Sequence, residues 1–273
     1  MEDRFARLSS SLAERTTFSR LGDRVPALIA TPEGDGPTPF VLWMHGRTVS
    51  KELDPGRYLR WIRAGIAAVA LDLPGHGERK TPGAHDAEHT PATVAAMVAE
   101  IDAVLDSIRT EHPRLDTARA AIGGMSAGGM ATLRRLCDPH PFVCAAVEGT
   151  SGDLHALYFP ADRDRGAEWP VRHDPARIEV IDPSRHLDGF RPIPLLALHN
   201  EGDQMVPLAV QKGFLDRLAG HYREQGADPG LIRLHTFADS GAPAEHAGFG
   251  RHANEAKNIQ LGFLVEHLRP EKP

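Results

Sequence analysis

Gly124-Met125-Ser126-Ala127-Gly128 places a serine between two glycines, each two residues away. A serine hydroxyl attacks a carbonyl carbon only when a base takes its proton and donors hold the oxyanion that forms. The spacing G-x-S-x-G meets the mechanical need of such a nucleophile. Small neighbours let the backbone turn sharply from strand to helix and present the hydroxyl. A helix starting at Ala127 would aim its positive end at the developing charge, with the N–H of Ala127 as one oxyanion donor. A glycine-rich turn with an incidental serine reads the same, so the partners decide. They must be a histidine, which titrates near neutrality, and a carboxylate to orient it. Around a nucleophile of this kind the chain order is serine, acid, histidine. Asp203 and Glu148 both follow apolar runs. His246 and His252 lie between the last apolar run and the last amphipathic stretch. His235 sits within a run, His199 precedes Asp203, and His76 belongs to a Pro-Gly turn. His85 and His89 flank a loop for which solvated surface is a plainer reading than a metal site.

The elements must bring these residues together. Apolar runs at 40–44, 66–71, 120–122, 143–147, 194–198 and 232–237 are short and bounded mostly by glycine, proline or polar residues. That pattern fits strands buried on both faces of a parallel sheet. Between them, Val94, Met97, Val98, Ile101, Val104, Leu105 and Ile108 recur at spacings of three and four. Thr90-Pro91 supplies the N-cap and a proline at the first helical position, and Pro113 ends the helix. Residues 127–136, 208–218 and 252–268 read as further helices. The alternation predicts an α/β fold, a mostly parallel central sheet with helices on both faces and its site at the carboxyl ends of the strands. An antiparallel edge hairpin is expected around Gly22-Asp23. From 151 to 191 the periodicity is lost. This stretch is expected to be a short cap-like insertion over the active site within a single domain, 1–273. Its Tyr158, Phe159 and Trp169 are candidate pocket residues, or pack the insertion onto the domain.

Thirty-one Lys and Arg against 37 Asp and Glu give a net charge of −6. That leaves no basic stripe for nucleic acid. No run of 18 apolar residues predicts a membrane span, and the N-terminus lacks the apolar segment of a secretory signal. A cytoplasmic location is the expectation. Cys137 and Cys144 lack zinc spacing and read as buried, reduced thiols.

Four segments, in order, resemble the α/β-hydrolase superfamily. They are His45-Gly46-Arg47, Asp72-Leu73-Pro74-Gly75-His76-Gly77, Gly124-Met125-Ser126-Ala127-Gly128-Gly129, and His199-Asn200-Glu201-Gly202-Asp203-Gln204-Met205-Val206-Pro207. Within it, residues 38–268 are similar to dienelactone-hydrolase-like and prolyl-oligopeptidase-like esterases. The resemblance implies an α/β-hydrolase fold, Asp203 as the acid and His246 as the base for Ser126. It places the second oxyanion donor at the backbone N–H of Arg47. Arg47 departs from the small or aromatic residue usual there, which makes its side chain a candidate for meeting a substrate carboxylate. The implied activity is hydrolysis of a small-molecule carboxylic ester through an acyl-enzyme, without metal or organic cofactor. Thioesters, lactones and peptides would suit the same machinery. Peptidases of this family usually add a large propeller domain, more than 273 residues can hold. A non-catalytic receptor on the same fold would retain similar residues. The oligomeric state is left open, and a homodimer is allowed.

Overall fold

Each of the six apolar runs becomes a strand in the computed structural model, which describes residues 8–22, 24–160 and 171–269. The strands are β1 (Thr16–Leu21), β2 (Val25–Ala30), β3 (Thr38–Met44), β4 (Ala67–Leu71), β5 (Leu115–Met125), β6 (Cys144–Glu148), β7 (Leu195–Asn200) and β8 (Ile232–Phe237). They form one sheet in the order β1-β2-β4-β3-β5-β6-β7-β8. β1 and β2 are the expected edge hairpin, and β2 also runs antiparallel to β4. Every other pairing is parallel. β3, β4, β6 and β7 are buried at every position, which is why they read as unbroken apolar runs.

Among the described residues the α-helices are α1 (Ser10–Ala13), α2 (Pro55–Arg63), α3 (Thr90–Glu111), α4 (Ala127–Arg135), α5 (Leu154–Tyr158), α6 (Pro175–Ile181), α7 (Leu208–Glu224) and α8 (Ala253–Leu268). Successive strand residues point to opposite faces. Leu42 and Met44 therefore join a core with Val104 of α3, Met130 of α4 and Phe214 of α7. Val41 and Trp43 join the opposite core with Tyr58 and Trp61 of α2 and Phe263 of α8. The register sets Trp43 beside Gly123 and Met44 beside Gly124, so β3 and β5 end level with each other.

Two local features differ from expectation. α3 begins at Thr90 itself, with His89 in the cap position. A 3-10 turn over Ala87–His89 runs straight into the helix, so His89 already has helical angles and Thr90 is inside. α2 was not foreseen. Asp54 accepts from the N–H of Arg57 at 3.3 Å, Pro55 opens the helix, and Tyr58, Trp61 and Ile62 bury one face. The described part of 151–191 forms α5, α6 and two 3-10 turns against the α3 and α4 side of the sheet. Asp182 holds these pieces together by accepting from the N–H groups of His155 and Ser184, both at 2.9 Å.

Candidate active site

β5 ends at Met125 and α4 starts at Ala127, so the reversal falls on Ser126, at φ 50° and ψ −117°. A non-glycine residue held there stores about 1–3 kcal/mol of strain. Three hydrogen bonds oppose it. The N–H of Ser126 donates to the Glu148 carbonyl, and its own carbonyl accepts from the N–H of Met130 and the Thr150 hydroxyl, all at 2.9 Å. The glycines let backbones touch. A methyl on Gly124 would lie 2.5 Å from the Gly128 backbone, and one on Gly128 would collide with the Met44 carbonyl.

His246 lies between β8 and α8. Its Nε2 is 2.9 Å from Ser126 Oγ, and its Nδ1 is 2.8 Å from Asp203 Oδ2. A carboxylate only accepts, so the partners put the ring proton on Nδ1 and leave Nε2 to accept from the serine hydroxyl. Asp203 is buried after β7, and its second oxygen accepts from the N–H groups of Met205 and Val206 at 2.9 and 2.8 Å. Both oxygens are thus occupied and the carboxylate cannot swing away. The His246 loop is strained, with Ala244 and Glu245 at φ 53° and 47°. Asn200, buried at the end of β7, holds it by donating from Nδ2 to the carbonyls of Glu245 and Gly248, at 2.7 and 2.9 Å. Sequence reasoning did not single out Asn200. Its one signal was its position at a strand end, three residues before Asp203.

The loop after β3 passes beside the serine, with a methyl on Gly46 falling 3.5 Å from Ser126 Cβ. The N–H groups of Arg47 and Ala127 donate to no acceptor among the described residues. Behind this loop, His45 Nε2 accepts from the N–H of Leu73 at 3.1 Å. Asp72 accepts from the backbone N–H and the ammonium of Lys51, both at 2.9 Å, and from the N–H of Glu78 at 3.0 Å. Burial alone would raise the Asp72 pKa, but these donors together with His45 hold it well below the usual carboxylate range. The network pins the Arg47 loop to the end of β4.

The other candidates have different work. Arg57 grips Glu148 through two nitrogens at 2.5 and 2.8 Å, and Gln260 donates to the same carboxylate at 2.9 Å. Arg57 also stacks over Trp43, 4.4 Å from the ring centroid. The Glu148 side chain thus ties α2 and α8 to β6, while its carbonyl holds Ser126. Removing one partner of a buried pair leaves the other charge uncompensated. Arg57→Ala is expected to destabilise the fold by about 3–5 kcal/mol in urea unfolding; a loss under about 1 kcal/mol would show that the pair contributes little beyond a surface bridge. His199 has Nε2 2.8 Å from the Val206 carbonyl, so it donates there, and burial pushes its pKa down. His252 bonds the Ala238 carbonyl at 3.1 Å, away from the serine. His76 is pushed down to about 4, chiefly by burial, and stacks on His85. Asp86, Glu88 and His89 bring three ligand atoms within 4.8 Å of one another, but all are exposed.

Above Ser126 lies a cavity of about 810 Å³. Ser126, His246, Arg47 and Ala127 line it together with Trp43, Met125, Met130, Met205 and Phe249. Tyr158 and Phe159 are not in this lining. α5 turns the Tyr158 ring inward, where its hydroxyl meets Met130 Sδ at 3.7 Å, one layer behind the wall. Phe159 packs on His155 and the neighbouring core. Trp169 lies outside the described residues. Among the described residues no helix is long and apolar enough to cross a membrane.

Residues 58–271 match the model of the prolyl oligopeptidase family, Peptidase_S9. The chain is 28% identical over 198 residues to the putative esterase YitV of Bacillus subtilis, covering 68% of this chain and 77% of that protein. It is 28% identical over 192 residues to the esterase YjfP of Escherichia coli, covering 67% and 76%. TT1662 from Thermus thermophilus has a similar structure, with TM-score 0.70 at 21% identity over 93% of this chain and 98% of that one. An acylaminoacyl peptidase of Pyrococcus horikoshii superposes with TM-score 0.68 at 17% identity, over 93% of this chain but only 41% of that one. At these identities the structural likenesses establish the α/β-hydrolase fold.

Proposed function

Because the chain belongs to the prolyl oligopeptidase family, we propose that it is a serine hydrolase of carboxylic esters, with Ser126, His246 and Asp203 as its triad. The supporting observation is the unbroken chain from Ser126 Oγ through His246 to Asp203, at 2.9 and 2.8 Å, mounted on a strained turn. His246 Nε2 takes the hydroxyl proton as Ser126 attacks the ester carbonyl. The oxyanion is held by the N–H groups of Arg47 and Ala127, each such donor contributing about 3 kcal/mol to the transition state. His246 then protonates the departing alcohol, leaving an acyl-enzyme. Water gives a proton to the same nitrogen as its oxygen attacks the acyl carbon, and His246 returns that proton to Ser126 Oγ as the acyl–oxygen bond breaks and the acid leaves. Asp203 keeps the ring oriented and stabilises the imidazolium. No step calls on a metal or organic cofactor.

Esters are preferred to peptides because the relatives of similar length carry esterase names, while the peptidase chain extends well beyond the matched part. The 151–191 segment is read as an insertion within one domain spanning the chain. A cytoplasmic site of action suits two free, buried cysteines. Hydrolysis of 4-nitrophenyl acetate by the wild type, lost to background in Ser126→Ala, is the expected result. Equal rates for the two proteins would overturn the assignment.

A further inference from the structure

Among the described residues, five Lys, Arg, Asp and Glu side chains line the cavity: Arg47, Asp54, Arg57, Glu148 and Lys257. Four of them neutralise one another. Arg57 pairs with Glu148, and Asp54 pairs with Arg57 at 3.2 Å and Lys257 at 2.9 Å. Arg47 pairs with no carboxylate among the described residues. Its one side-chain hydrogen bond runs from Nη1 to the carbonyl of His85. A half-buried guanidinium held by a neutral dipole keeps its charge uncompensated, and its remaining N–H groups form a planar fork suited to an anion.

The same wall carries a second unmet polar group. Thr90 lines the cavity and is only 3% exposed, and its hydroxyl has no partner among the described residues. It opens α3, a 22-residue helix with no acidic residue in its first turn and no side-chain cap. Asp86 and Glu88 flank that end from the preceding 3-10 turn, so the unmet groups on this wall are the Arg47 and Thr90 side chains and not the helix end. Arg47 and Thr90 line the same cavity, and the guanidinium bonds the carbonyl of His85, in the segment that leads into α3.

We propose that Arg47 and Thr90 form a subsite for a carboxylate carried by the substrate itself. The substrate class is then an ester with its own free carboxylate a few atoms from the scissile carbonyl, such as a half-ester of a dicarboxylic acid. The guanidinium grips the carboxylate with charge-assisted hydrogen bonds, and the Thr90 hydroxyl donates a further one. This inference rests on Ser126 as the nucleophile and names what it acts on.

The test compares 4-nitrophenyl hemiglutarate with its neutral methyl ester, and 3-acetoxybenzoate with its methyl ester, so that the charge lies on the acyl side in one pair and on the alcohol side in the other. The backbone of Arg47 serves the oxyanion, so the readout is the anionic-to-neutral ratio of kcat/KM, not either rate alone. In at least one pair the wild type should favour the anion by about tenfold or more. Arg47→Ala should lower that ratio roughly tenfold or more, Arg47→Lys less, and Thr90→Val about threefold. Ratios in both pairs that are unchanged in Arg47→Lys and Thr90→Val, or a wild type that favours the neutral ester in both, would overturn the subsite. Calorimetry of glutarate against Ser126→Ala separates the two readings. Binding about tenfold weaker once Arg47→Ala is added, with no turnover of any ester by the wild type, would keep the subsite and reject the esterase. Turnover without anion preference and without glutarate binding would reject the subsite alone.

Discussion

His246→Ala is expected to lower kcat for ester hydrolysis about a million-fold, leaving the residual rate that oxyanion donors and binding alone sustain. The loss is this large because one nitrogen performs four proton transfers: from Ser126, to the leaving alcohol, from the hydrolytic water, and back to Ser126. No neighbour can substitute. His199 is committed to the Val206 carbonyl and stands behind Asp203, 3.6 Å from its carboxylate. Glu148 is clamped by Arg57 and Gln260. The fold should survive the change. The loop around His246 is held through the carbonyls of Glu245 and Gly248 on Asn200, bonds that do not involve the imidazole. Kinetics together with circular dichroism check both halves. More than about 1% of wild-type kcat in a folded variant would mean that another group takes the proton.

Asp203→Asn is expected to cost about ten-thousand-fold in kcat with little loss of stability. The carboxylate has two separate jobs. Oδ1 accepts from the N–H groups of Met205 and Val206 and builds the turn, while Oδ2 accepts from His246 Nδ1. An amide keeps the first job with its oxygen, which leaves its NH₂ facing the imidazole. The ring must then accept at Nδ1 and carry its proton on Nε2, where it cannot receive one from Ser126. Asp203→Ala removes both jobs, and losing the turn bonds should add about 1–3 kcal/mol of destabilisation. Nuclear magnetic resonance of the imidazole nitrogens would report the tautomer directly. An unchanged Nδ1–H in Asp203→Asn, at full activity, would contradict this role.

Much of this arrangement is legible in the chain because its causes are local. Strands buried on both faces must be apolar throughout, so β3, β4, β6 and β7 stand out. The turn at Ser126 needs small neighbours and carries them. Ser126 directly follows β5 and Asp203 closely follows β7, where polar residues after apolar runs are visible, while His246 lies in the connection from β8 to α8. What escapes is set by tertiary contact. The polar first half of β5, Asp116 to Arg119, hides a strand whose pairing with β3 is irregular there, because extra β5 residues between Leu115 and Ala120 stand against the short step from Thr38 to Phe40. α2 is short, and its polar face, with Arg57 turned inward onto Glu148, blurs the apolar stripe. Asn200 reads as one more polar residue until its two acceptors, 45 and 48 positions away, are folded beside it. Aromatics in an aperiodic stretch do not reveal which way they face, and Tyr158 turned into the core. The isolation of Arg47 likewise depends on where every carboxylate ends up.

The most direct test is to treat the folded protein with a fluorophosphonate and locate the adduct by mass spectrometry. An activated serine attacks such a phosphorus centre, whereas an ordinary surface serine does not. The expected result is a single adduct on the peptide bearing Ser126, absent from Ser126→Ala and strongly slowed in His246→Ala. No adduct on folded wild-type protein, or equal labelling of Ser126→Ala, would contradict Ser126 as the nucleophile.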